Sequence, residues 1–150
     1  MSESGVNRTL LHVDDDPDFT RLVQHLLAPR GYSVVSLNDP QQAENELTLG
    51  GYRMVLLDID MPGLDGLELL RRIKAYDGGI QVIVLTGIVT LGAAMAASRR
   101  GAEACFFKPL GDVDALCESI DTVTRKIEHW WRALHQLSKQ RRVQDLHTQR

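Results

Sequence analysis

Five short apolar runs alternate with segments of helical spacing, and this alternation constrains the fold more than any other feature of the sequence. The runs, which we expect to form β-strands, are residues 9–13, 32–37, 53–57, 81–85 and 103–107. Strict alternation of strands and helices predicts right-handed crossovers and a parallel sheet. The fourth run has no polar residue after Gln81, which indicates a strand buried on both faces. We therefore predict an α/β domain in which helices cover both faces of a doubly wound parallel sheet.

Local signals mark where the helices begin and end. Asp16 followed by Pro17 is typical of an N-cap with proline in the first turn, and Asp39 with Pro40 repeats the pattern. Gly31 is expected to end the first helix. These signals predict a helix after each of the first two strands, and the last helix is expected to begin close to residue 112.

Composition excludes several classes of protein. With 150 residues, of which 43% are hydrophobic and 25% charged, the chain has the size and balance of one soluble domain. A net charge of -3 argues against bulk affinity for nucleic acids or membranes. Residues 78–98 carry no charge, but a strand, a loop and an Ala-rich helix fit them better than a membrane span.

The first residues and the cysteines point to the cytoplasm. Residues 1–6 lack the apolar core of a signal peptide, and we expect them to be disordered. Cys105 and Cys117 show no pairing pattern, which predicts reduced thiols rather than a disulfide. We therefore expect a cytoplasmic location.

Polar side chains follow four of the five apolar runs. Asp14 and Asp15 follow the first run, and Asp58 follows the third. Thr86 and Lys108 follow the fourth and fifth. In open α/β sheets, ligands bind beyond the carboxyl ends of the strands, where the winding direction changes. We therefore expect these five side chains to converge on one site.

The carboxylates of that site predict a bound cation and a nucleophile. Carboxylates brought together repel each other, and Mg²⁺ is a hard cation that prefers few of them together with several waters. We expect Asp15 to be a direct ligand, Asp14 a ligand through water, and the backbone carbonyl of Asp60 a further ligand. Asp58 is expected to be both a metal ligand and the nucleophile, which attacks phosphorus to give an acyl phosphate.

The remaining groups fit the developing charge of phosphoryl transfer. Lys108 and the metal would neutralise the phosphoryl oxygens, and the hydroxyl of Thr86 can donate to one of them. Gly87 leaves space for the phosphoryl group. Each residue alone has an ordinary structural role, and Asp16 is better interpreted as a helix cap than as a third acidic ligand. Their joint order along the chain is what predicts a site.

These motifs resemble the receiver domain of bacterial two-component response regulators over roughly residues 7 to 123. Val13-Asp14-Asp15 matches the acidic pair of that family, and the segment from Asp58 through Met61-Pro62 to Asp65-Gly66 matches its phosphoacceptor loop. The hydroxyl and small residue at 86–87 and the lysine–proline pair at 108–109 complete the match.

The resemblance implies a fold, a reaction and partners. It implies a flavodoxin-like (βα)5 fold with a five-stranded parallel sheet of order 2-1-3-4-5. It also implies a phosphorylation-activated signalling switch rather than an enzyme with a separate substrate. A histidine kinase or phosphotransfer protein would phosphorylate Asp58 beside bound Mg²⁺. A cis peptide bond between Lys108 and Pro109 is implied as well.

One residue departs from the family pattern. Receiver domains usually carry Tyr or Phe three residues before the lysine, where the ring turns inward when the switch hydroxyl shifts. That position is Cys105 here, and Cys105 cannot swing a large ring. With Thr86 it forms the expected switch pair, and the signal is expected to leave through the helix at residues 91–100 or through the last helix.

The last helix carries an apolar heptad stripe that outruns the domain. Its positions are Val113, Leu116, Ile120, Val123, Ile127, Trp130, Leu134 and Leu137. The first half is needed to cover the sheet, whereas Trp130 and Leu134 would be bare in a monomer. We favour a parallel homodimeric coiled coil; packing back onto the same domain and contact with another protein are the alternatives.

The segment 124–150 is interpreted as an extension of this helix or a linker to an output domain. It is basic, and we interpret its charges as a solvated helix face rather than as a nucleic-acid contact.

Two other functions fit parts of the sequence. A phosphatase of the haloacid dehalogenase type also uses an Asp-x-Asp after an apolar run, as at 58–60, but that family places its acid pair last, whereas here the pair comes first. A degenerate receiver that serves only as a dimerisation module is suggested by Cys105, and it predicts no phosphorylation of Asp58.

Overall fold

A five-stranded parallel sheet lies at the centre of the structure, a computed structural model that describes residues 8–148. The strands are β1 (Thr9–Val13), β2 (Ser33–Leu37), β3 (Met54–Leu57), β4 (Gln81–Thr86) and β5 (Ala104–Phe107). Their order in the sheet is β2-β1-β3-β4-β5, with every neighbouring pair parallel. The predicted fold class and strand order are confirmed, and each predicted strand boundary differs from the observed one by at most one residue.

Five α-helices follow the strands. They are α1 (Pro17–Leu27), α2 (Ala43–Gly50), α3 (Gly66–Tyr76), α4 (Leu91–Arg99) and α5 (Val113–Thr148). Asp16 caps α1 as predicted, because its side chain accepts hydrogen bonds from the N–H groups of Asp18 and Phe19. The predicted cap Asp39 accepts from Gln41 N–H, but it opens a 3-10 turn, Pro40–Gln42, before α2 begins. Gly31 has a φ of 87° and follows a second 3-10 turn, Ala28–Arg30.

A small hairpin follows β3 and leads into α3. Its two-residue strands, Asp60–Met61 and Leu64–Asp65, pair antiparallel. The side chain of Asp65 then caps α3 by accepting hydrogen bonds from the backbone N–H groups of Leu67 and Glu68. Gly66 packs so closely that an added Cβ would meet the backbone of Ile59, so only glycine fits at this position. The loop that follows Asp58 is therefore closed back on itself.

The core consists of two apolar layers, one on each face of the sheet. Alternate residues of each strand enter opposite layers; on β3, Val55 and Leu57 enter one, and Met54 and Leu56 the other. All four are at most 5% exposed. This two-sided burial is the reason that the strands read as continuous apolar runs.

Helix α5 is continuous across the boundary predicted at residues 123–124. Its proximal part is buried through Leu116, Ile120 and Val123, and Ile127 is the last stripe residue that packs on the core. Beyond it Trp130 is 60% and Leu134 63% exposed, as expected for a helix that outruns the domain.

No helix of residues 8–148 has both the length and the apolar character to span a bilayer. The segment 1–6, predicted to be disordered, lies outside the described residues, as do residues 149–150.

Candidate functional site

The backbone ladder of the sheet brings an acid pair, a third acid and a lysine to one edge. Asp14, Asp58 and Lys108 each lie one residue beyond a strand and donate one more N–H into the ladder. The bonds run from Asp14 to Leu37 O (3.1 Å), from Asp58 to Val13 O (3.0 Å) and from Lys108 to Thr86 O (2.9 Å). Their backbone positions are therefore set by strand pairing rather than by a free loop.

The side chain of Lys108 bridges the two buried carboxylates. Its Nζ donates to Asp14 Oδ2 at 2.6 Å and to Asp58 Oδ2 at 3.2 Å. Asp14 is fully buried and Asp58 is 3% exposed. Buried charges need such partners, because removal from water penalises an ionised group that has none.

The second oxygen of each buried carboxylate accepts from a backbone amide. Asp14 Oδ1 accepts from Asp16 N–H at 3.0 Å, and Asp58 Oδ1 accepts from Asp60 N–H at 2.9 Å. Each carboxylate is thus held by one amide and one ammonium, which fixes the direction in which its lone pairs point.

Burial and charge act in opposite directions on the titration of this group. Burial raises the pKa of Asp14 above its ordinary value, although the hydrogen bond and charge of Lys108 pull it down. For Lys108 burial alone would lower the pKa, but the hydrogen bond and charge of Asp14, together with Asp58, outweigh it and raise the pKa. The lysine is therefore a fixed positive charge at neutral pH.

Three carboxylates of the site could together hold a metal ion. Asp14, Asp15 and Asp58 each offer an oxygen, and these atoms lie within 4.8 Å of one another. We call this set the acidic cluster. Asp15 is exposed whereas the other two are buried, so the cluster opens to solvent on the Asp15 side. Oxygen donors at this separation suit a hard divalent cation.

The other predicted residues occupy the same edge or lie just below it. Thr86 is the last residue of β4, is fully buried, and its Oγ1 accepts from Ile88 N–H at 3.1 Å. A Cβ added to Gly87 would meet nothing within 4 Å, so space remains beside the hydroxyl. Cys105 is half-buried in β5 beside Val84, and burial raises the pKa of its thiol. The register partner of Thr86 is Phe107, not Cys105.

The peptide bond between Lys108 and Pro109 is cis, as the resemblance implied.

Two aromatic neighbours of Lys108 were missed by the sequence analysis. The Nζ of Lys108 lies 4.3 Å from the centroid of the Phe19 ring. The Phe19 ring in turn meets His12 edge to face, with centroids 5.6 Å apart and planes at 74°. From the sequence alone, Phe19 is one apolar position of the first helix, and His12 is part of the apolar run at residues 9–13. The only available signal was that both residues lie within five positions of the acid pair.

His12 is buried without a hydrogen bond at either ring nitrogen among the described residues. Burial, with the charge of Lys108, lowers the pKa of His12 to about 3. Its Nε2 lies 3.9 Å from Asp14 Oδ2, but a neutral imidazole forms no ion pair there. Lys108 is therefore the only cation that contacts the buried carboxylates within the described part of the chain.

Comparison with known protein families gives a match across most of the chain. Residues 10–121 match the family model of the response regulator receiver domain. The chain is 35% identical over 119 residues to the C4-dicarboxylate transport transcriptional regulatory protein DctD of Pseudomonas aeruginosa. That match covers 79% of this chain but only 25% of the relative. Sporulation initiation phosphotransferase F of Bacillus subtilis is 31% identical over 115 residues, which cover 77% of this chain and 92% of that protein.

Solved structures give the same result. A CheY-like receiver domain from Methanospirillum hungatei superposes with a TM-score of 0.75 at 25% identity, over 83% of this chain and 98% of that one. The beryllofluoride-activated NtrC4 receiver domain dimer gives a TM-score of 0.74 at 26% identity, over 80% and 98%. The sheet order, the strand-end acids and these matches agree, and the chain belongs to the response regulator receiver domain family.

Proposed function

We propose that this chain is a phosphorylation-activated switch that accepts a phosphoryl group on Asp58 from a histidine kinase or a phosphotransfer protein. The observation that carries the proposal is the bridge from Lys108 Nζ to Asp14 and Asp58, with an exposed Asp15 alongside. A buried carboxylate beside a fixed cation and an open side is the arrangement that a phosphoryl acceptor needs. The similarity to a phosphotransferase and to transcriptional regulators supports a role in phosphorelay signalling.

The reaction that we propose is a direct displacement at phosphorus. An oxygen of the Asp58 carboxylate forms a new O–P bond, while the P–N bond of a phosphohistidine donor breaks. The imidazole of the donor leaves with the bonding electrons and takes up a proton from water. The Lys108 ammonium stabilises the charge on the phosphoryl oxygens. The Thr86 hydroxyl already accepts from Ile88 N–H, so its own proton is free to donate to one of those oxygens.

The acidic cluster fits Mg²⁺ by its donor set, since all of its ligands are oxygens within mutual reach. We propose Asp15 and Asp58 as direct ligands, Asp14 as a ligand through water, and the backbone carbonyl of Asp60 as a further ligand. The bound ion would supply positive charge to the phosphoryl oxygens. The chain would act on no separate substrate and would catalyse only its own phosphorylation and dephosphorylation.

We further propose that the chain is a homodimer through α5. Trp130, Leu134 and Leu137 continue the buried stripe but are each more than half exposed in the single chain. An exposed stripe in register with a core stripe is typical of a helix that pairs with another. The likeness to a receiver domain dimer supports a second copy as the partner.

We propose that the switch works in the cytoplasm, which accords with the free thiols of Cys105 and Cys117.

Chain order and the family match speak against the haloacid dehalogenase alternative. The degenerate receiver remains the second candidate function, because Cys105 is too small to replace an aromatic switch residue.

The experiment that tests the switch uses beryllofluoride, which mimics a phosphoryl group on Asp58. Mass by light scattering is measured with Mg²⁺, with and without beryllofluoride, for the wild type and Asp58→Asn. Both tryptophans lie in α5, so their fluorescence reports on the helix in the same samples. A change in the wild type alone supports the switch. Intact-protein mass after treatment with a small acyl phosphate then tests the residue directly, and no phosphoryl group on Asp58 would favour the degenerate receiver.

A further inference from the structure

We propose that Phe19 is a positioning residue, whose ring face holds the Lys108 ammonium at the acidic cluster before and after phosphorylation. The inference rests on the proposed function, because it assigns a role within that reaction. Phe19 itself touches no reacting atom; it would act through Lys108.

The contact has the geometry of a cation–π interaction. The Nζ of Lys108 lies 4.3 Å from the ring centroid, inside the distance of about 6 Å at which such attraction operates. The ammonium has three N–H groups, and its hydrogen bonds to Asp14 and Asp58 use two of them. The ring face attracts the charge without consuming a specific N–H, so one donor remains for a phosphoryl oxygen.

Phe19 is itself held in place from two sides. Its backbone N–H donates to Asp16 Oδ1 at 3.3 Å, which fixes it in the first turn of α1. Its ring packs against the buried His12 ring.

The ring differs from the carboxylates in that phosphorylation does not change it. Asp58 is converted to an acyl phosphate, and Asp14 is shared with the metal in the proposed reaction. A lysine side chain held only by these two groups would lose its Asp58 anchor at the moment when it must meet the phosphoryl oxygens. A flexible four-carbon stem has much rotamer freedom to regain. The attraction of the Phe19 face is present throughout.

The contact can be observed without any phosphorylation. Protons of the Lys108 ε-methylene that lie over a ring face should resonate upfield of their usual position in the NMR spectrum. Phe19→Leu should return them to the ordinary position, whereas Phe19→Tyr should keep the shift. Unshifted methylene protons in the wild type would overturn the inference.

The role is tested by the rate at which a small acyl phosphate donor phosphorylates Asp58 in the full chain with Mg²⁺. Phe19→Leu should lower the maximal rate by about 2- to 30-fold, the range that cation–π energies allow, with little change in donor KM. Phe19→Tyr should restore it. Phe106→Leu is the packing control, because Phe106 packs in the same apolar layer as Phe19.

Progressively fluorinated phenylalanines at position 19 separate electrostatics from packing. They keep the shape of the ring but weaken the charge on its face, so the logarithm of the rate should fall steadily with each added fluorine. A flat series in a protein that is phosphorylated would overturn the role of Phe19 alone. A wild type that is not phosphorylated on Asp58 would instead sink the proposed function, and the role of Phe19 with it.

Discussion

The acidic cluster with Lys108 and the distal helix, residues 128–148 of α5, represent two opposite ways of ordering a chain. At the cluster, Asp14 and Asp58 are buried, and each accepts one hydrogen bond from a backbone amide and one from Lys108. In the distal helix no described side chain is buried. Lys108 reaches its two acids across 94 and 50 residues of sequence, whereas the regular bonds of a helix span four.

The difference teaches where each region takes its stability. The cluster is positioned by strand pairing and by the apolar layers on both faces of the sheet. Its geometry is therefore kept as long as the whole domain is folded. In proteins most helical stability comes from tertiary packing of an apolar face rather than from helix propensity. The distal helix therefore depends on its proximal half and on whatever covers Trp130 and Leu134.

The largest expected change in the free energy of unfolding comes from a substitution in the packed core, and the same substitution in the distal helix is the control. Leu70→Ala removes a fully buried side chain and should lower the free energy of unfolding by about 2–5 kcal/mol. The same change at Leu134, which is 63% exposed, should alter it by less than about 0.5 kcal/mol at low protein concentration. Urea denaturation of both variants measures the difference. A large, concentration-dependent loss in Leu134→Ala would mean that a partner covers this residue even in dilute solution.

The next largest loss of stability is expected when the cation that bridges the buried carboxylates is removed. Lys108→Met leaves Asp14 buried without its ammonium, and in Mg²⁺-free buffer at pH 7 we expect a loss of about 3 kcal/mol. This is the low end for a broken buried pair, because Lys108 is 21% exposed and Asp15 opens the site to water. The control is Lys139→Met in the exposed distal helix. Equal denaturation midpoints for the two variants would show that the bridge adds nothing to stability.

A smaller effect concerns the base of the packed region at high pH. The Tyr32 hydroxyl donates to Asp121 at 2.7 Å, and burial, with that bond, raises the pKa of Tyr32 to about 12. A raised pKa contributes stability that is complete below pH 10 and is lost as pH rises towards 12. We expect the wild type to lose on the order of 1–2 kcal/mol more than Tyr32→Phe over that window. Parallel urea curves at pH 9 and 11.5 measure it, and identical losses in both proteins would contradict it.

The smallest effect on stability tests the distal helix directly. A chain that ends at Ile127 keeps every buried residue of α5, so its free energy of unfolding should change by less than about 1 kcal/mol. The mass measured by light scattering should nevertheless fall from dimer to monomer. A shortened chain that stays dimeric would place the interface on residues before 128 instead of on the distal helix.

The sequence predicted the fold because burial on both faces leaves a simple record. Strands β3 and β4 each have one face in each apolar layer, and burial of both faces excludes the polar alternation of a surface strand. The cap Asp16 could be predicted because an Asp-Pro pair is typical of a helix start, and its side chain bonds to the amides two and three positions away. The site formed by the strand-end acids and Lys108 could also be predicted, because parallel strands bring their carboxyl ends to one edge of the sheet.

What the sequence could not predict depends on distance in three dimensions. The contacts of Phe19 with His12 and Lys108 join β1, α1 and the end of β5, and no spacing along the chain encodes them. The register that places Phe107 rather than Cys105 beside Thr86 is set by the pairing of β4 with β5. The start of α2 was missed locally, because a helix cap and a cap of a 3-10 turn use the same Asp-Pro signal.

The unbroken course of α5 makes it a lever. Its 21 residues beyond Ile127 extend roughly 32 Å at the usual rise of an α-helix. The proximal half packs on the sheet, and Lys126, at the fulcrum, lies 3.4 Å from Glu103 just before β5. A tilt of about 5° at that fulcrum, too small to disturb the core, would carry the far end through roughly 3 Å on the same helical geometry. A small rotation of α5 at the receiver domain therefore becomes a larger displacement at the far end of the helix, where no described side chain is buried.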